Sequence, residues 1–408
     1  MRVLVVSHGI TASGGFGNQT YLLSRALSDA GHELFCVHNS YRGEPIFFDK
    51  ACTPGGKKLD GLTILPWGGS QWGEDVVPYY LERYDIDVVL TLGDIYCYQY
   101  IAQLPLGKCR WVAHYVLDTE NLVASWNASF ANPSAIILPT KRSAKLASSV
   151  ATKPVIYMPH GVDPQVFRPC SPDEKVTFRA HMGLPKDSFV IGCVAHNQAR
   201  KKLDRLMLAF AAFAHKNPAA VLLMHCSPKE SIGWDLRQIA LDNGILNRVY
   251  FTDKASKNIG DNHTPPEEMR QLYCCMDVHA LPTGGEGFGV PIVEAMMCGI
   301  PNVATAYTSI PEFLGDHRGF PIPVDCVELH HTGGAWASVN VPLMAEAFEF
   351  IQASPDKVAL MINKARAFAV KEYSSETVAA HWVKLFENIP EVSKPVASFG
   401  LKAVRASG

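Results

Sequence analysis

Short, continuous apolar runs recur along the chain, and each is followed by a polar or glycine-bearing stretch and then by a segment with helical spacing. In the first half these runs fall near Arg2–Ser7, Glu33–His38, Val88–Leu92, Trp111–His114 and Ala135–Pro139, with a helix predicted from about Asn18 to Ala30 and closed by Gly31. In the second half they fall near Phe189–Ala195, Ala220–His225, Arg248–Thr252, Val278–Pro282 and Asn302–Ala306. A run that is apolar without alternation is a strand covered on both faces, and strands alternating with helices build parallel sheets. Two such sheets in series predict an α/β chain of two domains. Between them, the stretch from Pro159 to Pro169 carries three prolines and Gly161, so it cannot continue a helix and reads as the crossing between domains. A last helix is expected over Ser375–Asn388, with Val378, Trp382, Leu385 and Phe386 on one face, and after Pro390 the periodicity is lost.

Composition narrows the class. The 408 residues exceed one ordinary core and suit two domains of about 200 residues each. Hydrophobic content of 48%, charged content of 19% and a net charge of -2 exclude a disordered, collagen-like or polybasic chain, and give no sign of nucleic-acid binding. The opening run Met1–His8 is too short and lacks the flanks of a signal peptide, so it reads as a buried strand, and no run approaches the roughly 20 apolar residues that cross a bilayer. Eleven cysteines contain no Cys-x-x-Cys pair, which suits reduced, buried thiols of a cytoplasmic protein.

The stretch Gly284-Gly285-Glu286-Gly287-Phe288-Gly289-Val290-Pro291-Ile292-Val293-Glu294-Ala295 carries the chemistry. Gly287 and Gly289 let backbone N–H groups approach an anion, Pro291 suits a first helical turn, and a diphosphate fits such a helix N-terminus. Carboxylates repel phosphate, so Glu286 on the loop and Glu294 inside the helix are suited to accept from hydroxyls of a sugar and a ribose. The plain alternative is an acidic loop before an ordinary amphipathic helix.

This pattern resembles the Glu-x7-Glu motif of the retaining family 4 glycosyltransferases of the glycogen-synthase-like clan, which have the GT-B fold. The continuation Met296–Ala304 and the Gly161-Val162-Asp163…Phe167 segment are similar to that family as well. The resemblance implies an α/β GT-B architecture, two Rossmann-like domains facing each other across a cleft. It divides the chain into residues 1–165 (acceptor side), 166–372 (nucleotide-sugar donor side), a helix over 373–390 packing back on the first domain, and a tail over 391–408.

Other segments join the resemblance. Ser13-Gly14-Gly15-Phe16-Gly17-Asn18 follows the first strand, and the resemblance gives Gly14, Gly15 and Gly17 a role facing the donor diphosphate; on its own the loop also reads as a tight turn. A dinucleotide loop fits less well, because neither a third glycine nor an acidic residue about 20 positions on is present. His196-Asn197-Gln198-Ala199-Arg200-Lys201-Lys202 is similar to the family's Arg-x4-Lys clamp, with Lys201 in the lysine place and His196 where arginine is usual. Arg200 is the candidate for the missing guanidinium, since a planar fork holds phosphate oxygens in pairs. Lys202 is expected to point to solvent. His114, at a strand end, is placed near the transferred sugar by the resemblance and is equally readable as a satisfied core histidine; Asp118 reads as an acceptor-side base or a helix cap. Thr252 ends the strand near which the family contacts the base, and Asp253 follows it.

Asp85-Ile86-Asp87 has the letters of a metal motif but stands at the start of a strand, opposite the usual ligand crevice, so no metal is assigned. The expected reaction is sugar transfer with retention from a nucleoside-diphosphate sugar, UDP- or GDP-linked, to an unidentified acceptor, with no cofactor and at most a transient membrane contact. Glu286, Arg200, Lys201 and His114 are the expected catalytic set, and Gly14, Gly15, Gly17, His196, Thr252, Gly287, Phe288, Gly289 and Glu294 the donor-binding set. A GT-B sugar-nucleotide epimerase and a catalytically silent sugar-nucleotide-binding subunit are the alternatives.

Overall fold

The computed structural model describes residues 1–11, 14–39, 41–47, 60–252, 264–330 and 333–389. Ser13, Asp253 and the residues from Pro390 on lie outside them. The chain forms two compact units, one of residues 1–117, 122–161 and 375 onward, the other of residues 118–121 and 162–374.

The first unit is an eight-stranded sheet in the order β3-β4-β2-β1-β5-β6-β7-β8. Its strands are β1 (Arg2–Ser7), β2 (Glu33–His38), β3 (Ile46–Phe47), β4 (Leu62–Pro66), β5 (Val88–Asp94), β6 (Arg110–Val116), β7 (Ala135–Leu138) and β8 (Val155–Tyr157). All pairings are parallel except β3 with β4. Leu4 and Val6 of β1 enter one hydrophobic cluster while Val3 and Val5 enter another, so both faces of the strand are covered and its sequence need not alternate. Helix Ser375–Asn388 returns to this unit and sets Val378, Trp382, Leu385 and Phe386 beside Leu23 and Leu27 of helix Gly15–Asp29.

The second unit is a six-stranded, fully parallel sheet, β11-β10-β9-β12-β13-β14. It is built from β9 (Phe189–Val194), β10 (Ala220–His225), β11 (Val249–Phe251), β12 (Val278–Leu281), β13 (Asn302–Thr305) and β14 (Phe320–Ile322). A hairpin of β15 (Val324–Leu329) and β16 (Ala335–Val339) follows. In each sheet the strand order reverses once, between β1 and β5 and between β9 and β12. The loops that leave the carboxyl ends of strands at such a reversal form the crevice where open α/β sheets bind ligands.

The ten runs read from sequence are all strands, with ends shifted by a residue or two. Two expectations are corrected. The first helix starts at Gly15 and not near Asn18, because Gly14 takes φ +91° as its N-cap and the following glycines turn straight into the helix. The strands β3, β8 and β14 and the hairpin were not anticipated, since each is short or partly exposed at a sheet margin, and neither was β4, although its Leu-Thr-Ile-Leu-Pro run is buried inside the sheet.

Candidate active site

In the second unit the loop after β9 and the loop after β12 leave adjacent strands at the reversal point, so residues 196–202 and 282–289 come together. The meeting is fixed by backbone: the Gly284 N–H donates to the Arg200 carbonyl at 2.7 Å, and the Ala337 N–H to the Gly284 carbonyl at 2.9 Å. A Cβ on Gly284 would sit 3.0 Å from the Arg200 and Ala337 carbonyl oxygens, which explains a glycine there.

Across this junction Lys201 Nζ lies 2.6 Å from Glu286 Oε1, and an Arg200 guanidinium nitrogen 3.8 Å from the other carboxylate oxygen. Arg200 also pairs with Asp118 at 3.0 Å and donates to the Gly285 carbonyl. Burial disfavours the charged form of Glu286, but Lys201 and then Arg200 outweigh it and hold the carboxyl below its usual range. The Glu286 N–H donates to Thr308 Oγ1 at 2.8 Å, and Thr308, at φ +50°, donates its own N–H to the Glu120 carboxylate at 3.0 Å. A β-branched residue held at positive φ stores strain that its surroundings must maintain. Arg200 and Lys201 are thus paired with the carboxylates of Asp118 and Glu286.

Helix Val290–Met297 begins beside this network, capped by Gly289 at φ +100° with Pro291 in its first turn. Glu294 lies one turn in, almost fully buried, and accepts from the Tyr273 hydroxyl at 2.7 Å. Burial pushes its carboxyl up to about 7, against the opposing pull of Tyr273. The Phe288 ring points into the core, edge-on to Phe313 and Tyr373, so what Phe288 offers a ligand is backbone. Gly287 is buried beside it.

The remaining residues of this set are distributed less closely. His196 is exposed on the loop after β9. Thr252 follows β11, with its Oγ1 2.8 Å from His225 Nδ1, and burial lowers that imidazole to about 4. Lys202 corrects its expectation: its side chain is only 13% exposed and pairs with Glu328 at 3.3 Å, because φ +49° at the start of helix Leu203–Lys216 turns it toward the hairpin. Sequence reasoning missed Tyr273, Thr308, Glu120 and His225. Thr308 was findable, since it follows β13 at the same sheet end; nothing in the spacing ties Tyr273 to Glu294.

In the first unit Gly14 and Gly15 are exposed at the N-terminus of helix Gly15–Asp29, and Gly17 is buried in its first turn. His114 is buried in β6, 5.2 Å from the His160 ring and 5.6 Å from Trp382, and among the described residues no hydrogen bond meets the ring nitrogens of His114. Burial, with a smaller push from His160, holds it well below the usual histidine value. Asp85 stands ahead of β5, paired with Arg2 and Lys108. Among the described residues no three His, Cys, Asp or Glu side chains gather as a metal cluster.

Residues 188–331, which contain both reversal-point loops, match the family described as glycosyl transferases group 1. This segment is a group 1 glycosyltransferase domain. Around the domain, the chain is 33% identical over 173 residues to D-inositol 3-phosphate glycosyltransferase of Mycobacteroides abscessus, covering 41% of this chain and 35% of that protein. It is 27% identical over 237 residues to the GDP-mannose-dependent alpha-(1-6)-phosphatidylinositol monomannoside mannosyltransferase of Mycolicibacterium smegmatis, covering 56% and 55%. The chain thus spans about a third to a little over half the length of these relatives. The whole fold is GT-B. Sucrose-phosphate synthase from Thermosynechococcus elongatus aligns with a TM-score of 0.74 at 18% identity, over 95% of this chain and 98% of that one. Anabaena HepE, solved with UDP and glucose, aligns with a TM-score of 0.69 at 16% identity, over 95% and 100%. The group 1 domain holds its charged network on the six-stranded sheet, and among the described residues no helix is long and apolar enough to cross a membrane.

Proposed function

We propose that this protein is a retaining, metal-independent glycosyltransferase that moves a sugar from a nucleoside-diphosphate sugar to an acceptor. The observation that carries the reading is the convergence of Arg200, Lys201 and Glu286 beside the N-terminus of helix Val290–Met297, at the reversal point of a parallel sheet. Two cations and a helix start can neutralise the charge that grows on a departing diphosphate, which is the task a divalent ion performs elsewhere. Glu294 is assigned to the ribose and Glu286 to a hydroxyl of the transferred sugar, with the Gly287–Gly289 amides on the phosphates. His196 and Thr252 extend the donor side, and Gly14, Gly15, Gly17 and His114 of the first unit belong to the same proposal. In this mechanism the acceptor hydroxyl attacks from the face the diphosphate leaves, and the diphosphate oxygen takes its proton, so Glu286 orients the donor and is no nucleophile.

The neighbour solved with UDP-glucose supports a uridine donor, and the GDP-mannose-dependent relative supports a guanosine one. That relative's name also supports an acceptor presented at a membrane surface, met transiently. The absence of disulfides among the described cysteines is compatible with a cytoplasmic setting.

The test is thermal unfolding of the native chain and of Glu294→Ala with UDP, GDP, ADP and NAD, with chelator present throughout. A nucleotide at about 100 times its Kd stabilises by roughly 2.7 kcal/mol. Stabilisation by one nucleoside diphosphate that disappears in Glu294→Ala is expected. Stabilisation by NAD alone, or by none, rejects the reading. Turnover with the matching sugar nucleotide, and retention of the anomeric configuration by NMR, then separate a transferase from a silent binding subunit.

A further inference from the structure

Glu294 carries the ribose assignment, yet it is an awkward carboxylate: nearly fully buried, with no ion-pair partner and one close donor among the described residues. That donor, Tyr273, comes from a different element, helix Pro266–Cys274, and is itself fully buried against the Phe167 and His279 rings at 6.2 and 5.7 Å. With its ring wedged on two sides, the phenol has little freedom to swing, so its hydroxyl fixes one carboxylate oxygen in a defined direction. A buried charged acceptor that loses its one donor bears the full desolvation cost.

We infer that Tyr273 is a positioning residue for the donor site: its hydroxyl occupies one oxygen of Glu294 and turns the other toward the paired hydroxyls of a ribose. The inference rests on the ribose role proposed above for Glu294. A hydrogen bond to the ionised form also favours that form, so Tyr273 opposes the burial that pushes Glu294 up to about 7. The other titratable groups facing this pair are Cys298 at the end of the same helix, Cys193 on β9 and His279 on β12, and His279 is held by Asn302 at 2.7 Å.

The experiment titrates UDP or GDP, whichever stabilises the native chain, against native protein, Tyr273→Phe, Glu294→Gln and the double variant from pH 6 to 9. Native affinity should rise with pH as Glu294 ionises and level off above about pH 8. Tyr273→Phe should weaken binding about tenfold at pH 7 and move that rise to higher pH, so that most of the loss is recovered at pH 9. The double variant should lose no more than Glu294→Gln alone, because Tyr273 acts through Glu294. A pH-independent loss in Tyr273→Phe, a native profile in that variant, or additive losses in the double variant would overturn the inference. Native-like binding by Glu294→Gln would instead reject the ribose role itself, a separate result.

Discussion

The two sheets solve one topological problem with opposite chemistry. Each reverses its strand order once and opens a helix at that point, but the first unit fills the position with Gly14, Gly15 and Gly17 and keeps His114 and His160 buried, both lowered by that burial. The second gathers Asp118, Arg200, Lys201, Glu286 and Glu120 into a network of ion pairs and charged hydrogen bonds. A shared backbone layout therefore says where a ligand can sit, while the side chains decide what charge it meets.

The sharpest way to break this contrast is Lys201→Ala, which strands the Glu286 carboxylate in a nearly closed site. Losing one partner of a buried pair costs about 3–5 kcal/mol, so urea unfolding should move strongly; Lys201→Ala with Glu286→Gln should regain most of that stability and still fail to turn over. Next in size are changes that strike backbone contacts. In the first unit Gln19 donates to the Gly161 carbonyl and accepts from the Gly161 N–H, both at 2.8 Å, and Gln19→Ala should cost about 1–3 kcal/mol. In the second, Gly285→Ala would drive its Cβ into the Asp118 carbonyl oxygen, with a destabilisation of about 1–3 kcal/mol expected in the same assay.

The units should also respond to pH in opposite senses. His160 is lowered from 6.5 to about 3 by burial, and His114 also lies well below 6.5, so the unfolded chain binds their protons first. Their contribution is complete above pH 6.5 and is lost as pH falls below it. Glu294 is raised from 4.5 to about 7, so its contribution is complete below pH 4.5 and is lost as pH rises through 7. Stability measured from pH 5 to 8 should show the acid-side loss shrink in His114→Phe with His160→Phe, and Glu294→Gln should gain relative to native toward pH 8. The smallest effect is expected from Asp118→Asn. Asp118 is more than a third exposed, and releasing Arg200 from it should tighten nucleoside diphosphate binding by about 1 kcal/mol or less, read by calorimetry.

Much of this arrangement is legible in the chain because the decisive segments are local. A covered strand announces itself as an apolar run, and Gly284 to Ala295 holds both carboxylates and the helix start in one stretch. What stays hidden is what depends on partners far apart in sequence. Tyr273 reaches Glu294 from another helix, Asp118 and Glu120 join the second unit from a segment flanked by the first, and Lys202 is turned inward by one left-handed residue. Phe288, written into the motif, spends its ring on the core because the turn at Gly289 faces it that way. The hairpin β15–β16 is half exposed and lacks the apolar run that reveals a strand.

Helix Ser375–Asn388 completes the hydrophobic cluster of the first unit although all of Val162–Ser374 is made before it. On the ribosome the second unit can therefore finish folding while the first still lacks Val378, Trp382, Leu385 and Phe386. A nascent chain stalled before Ser375 would carry an exposed apolar face in its oldest part, so the order of synthesis and the order of folding run against each other.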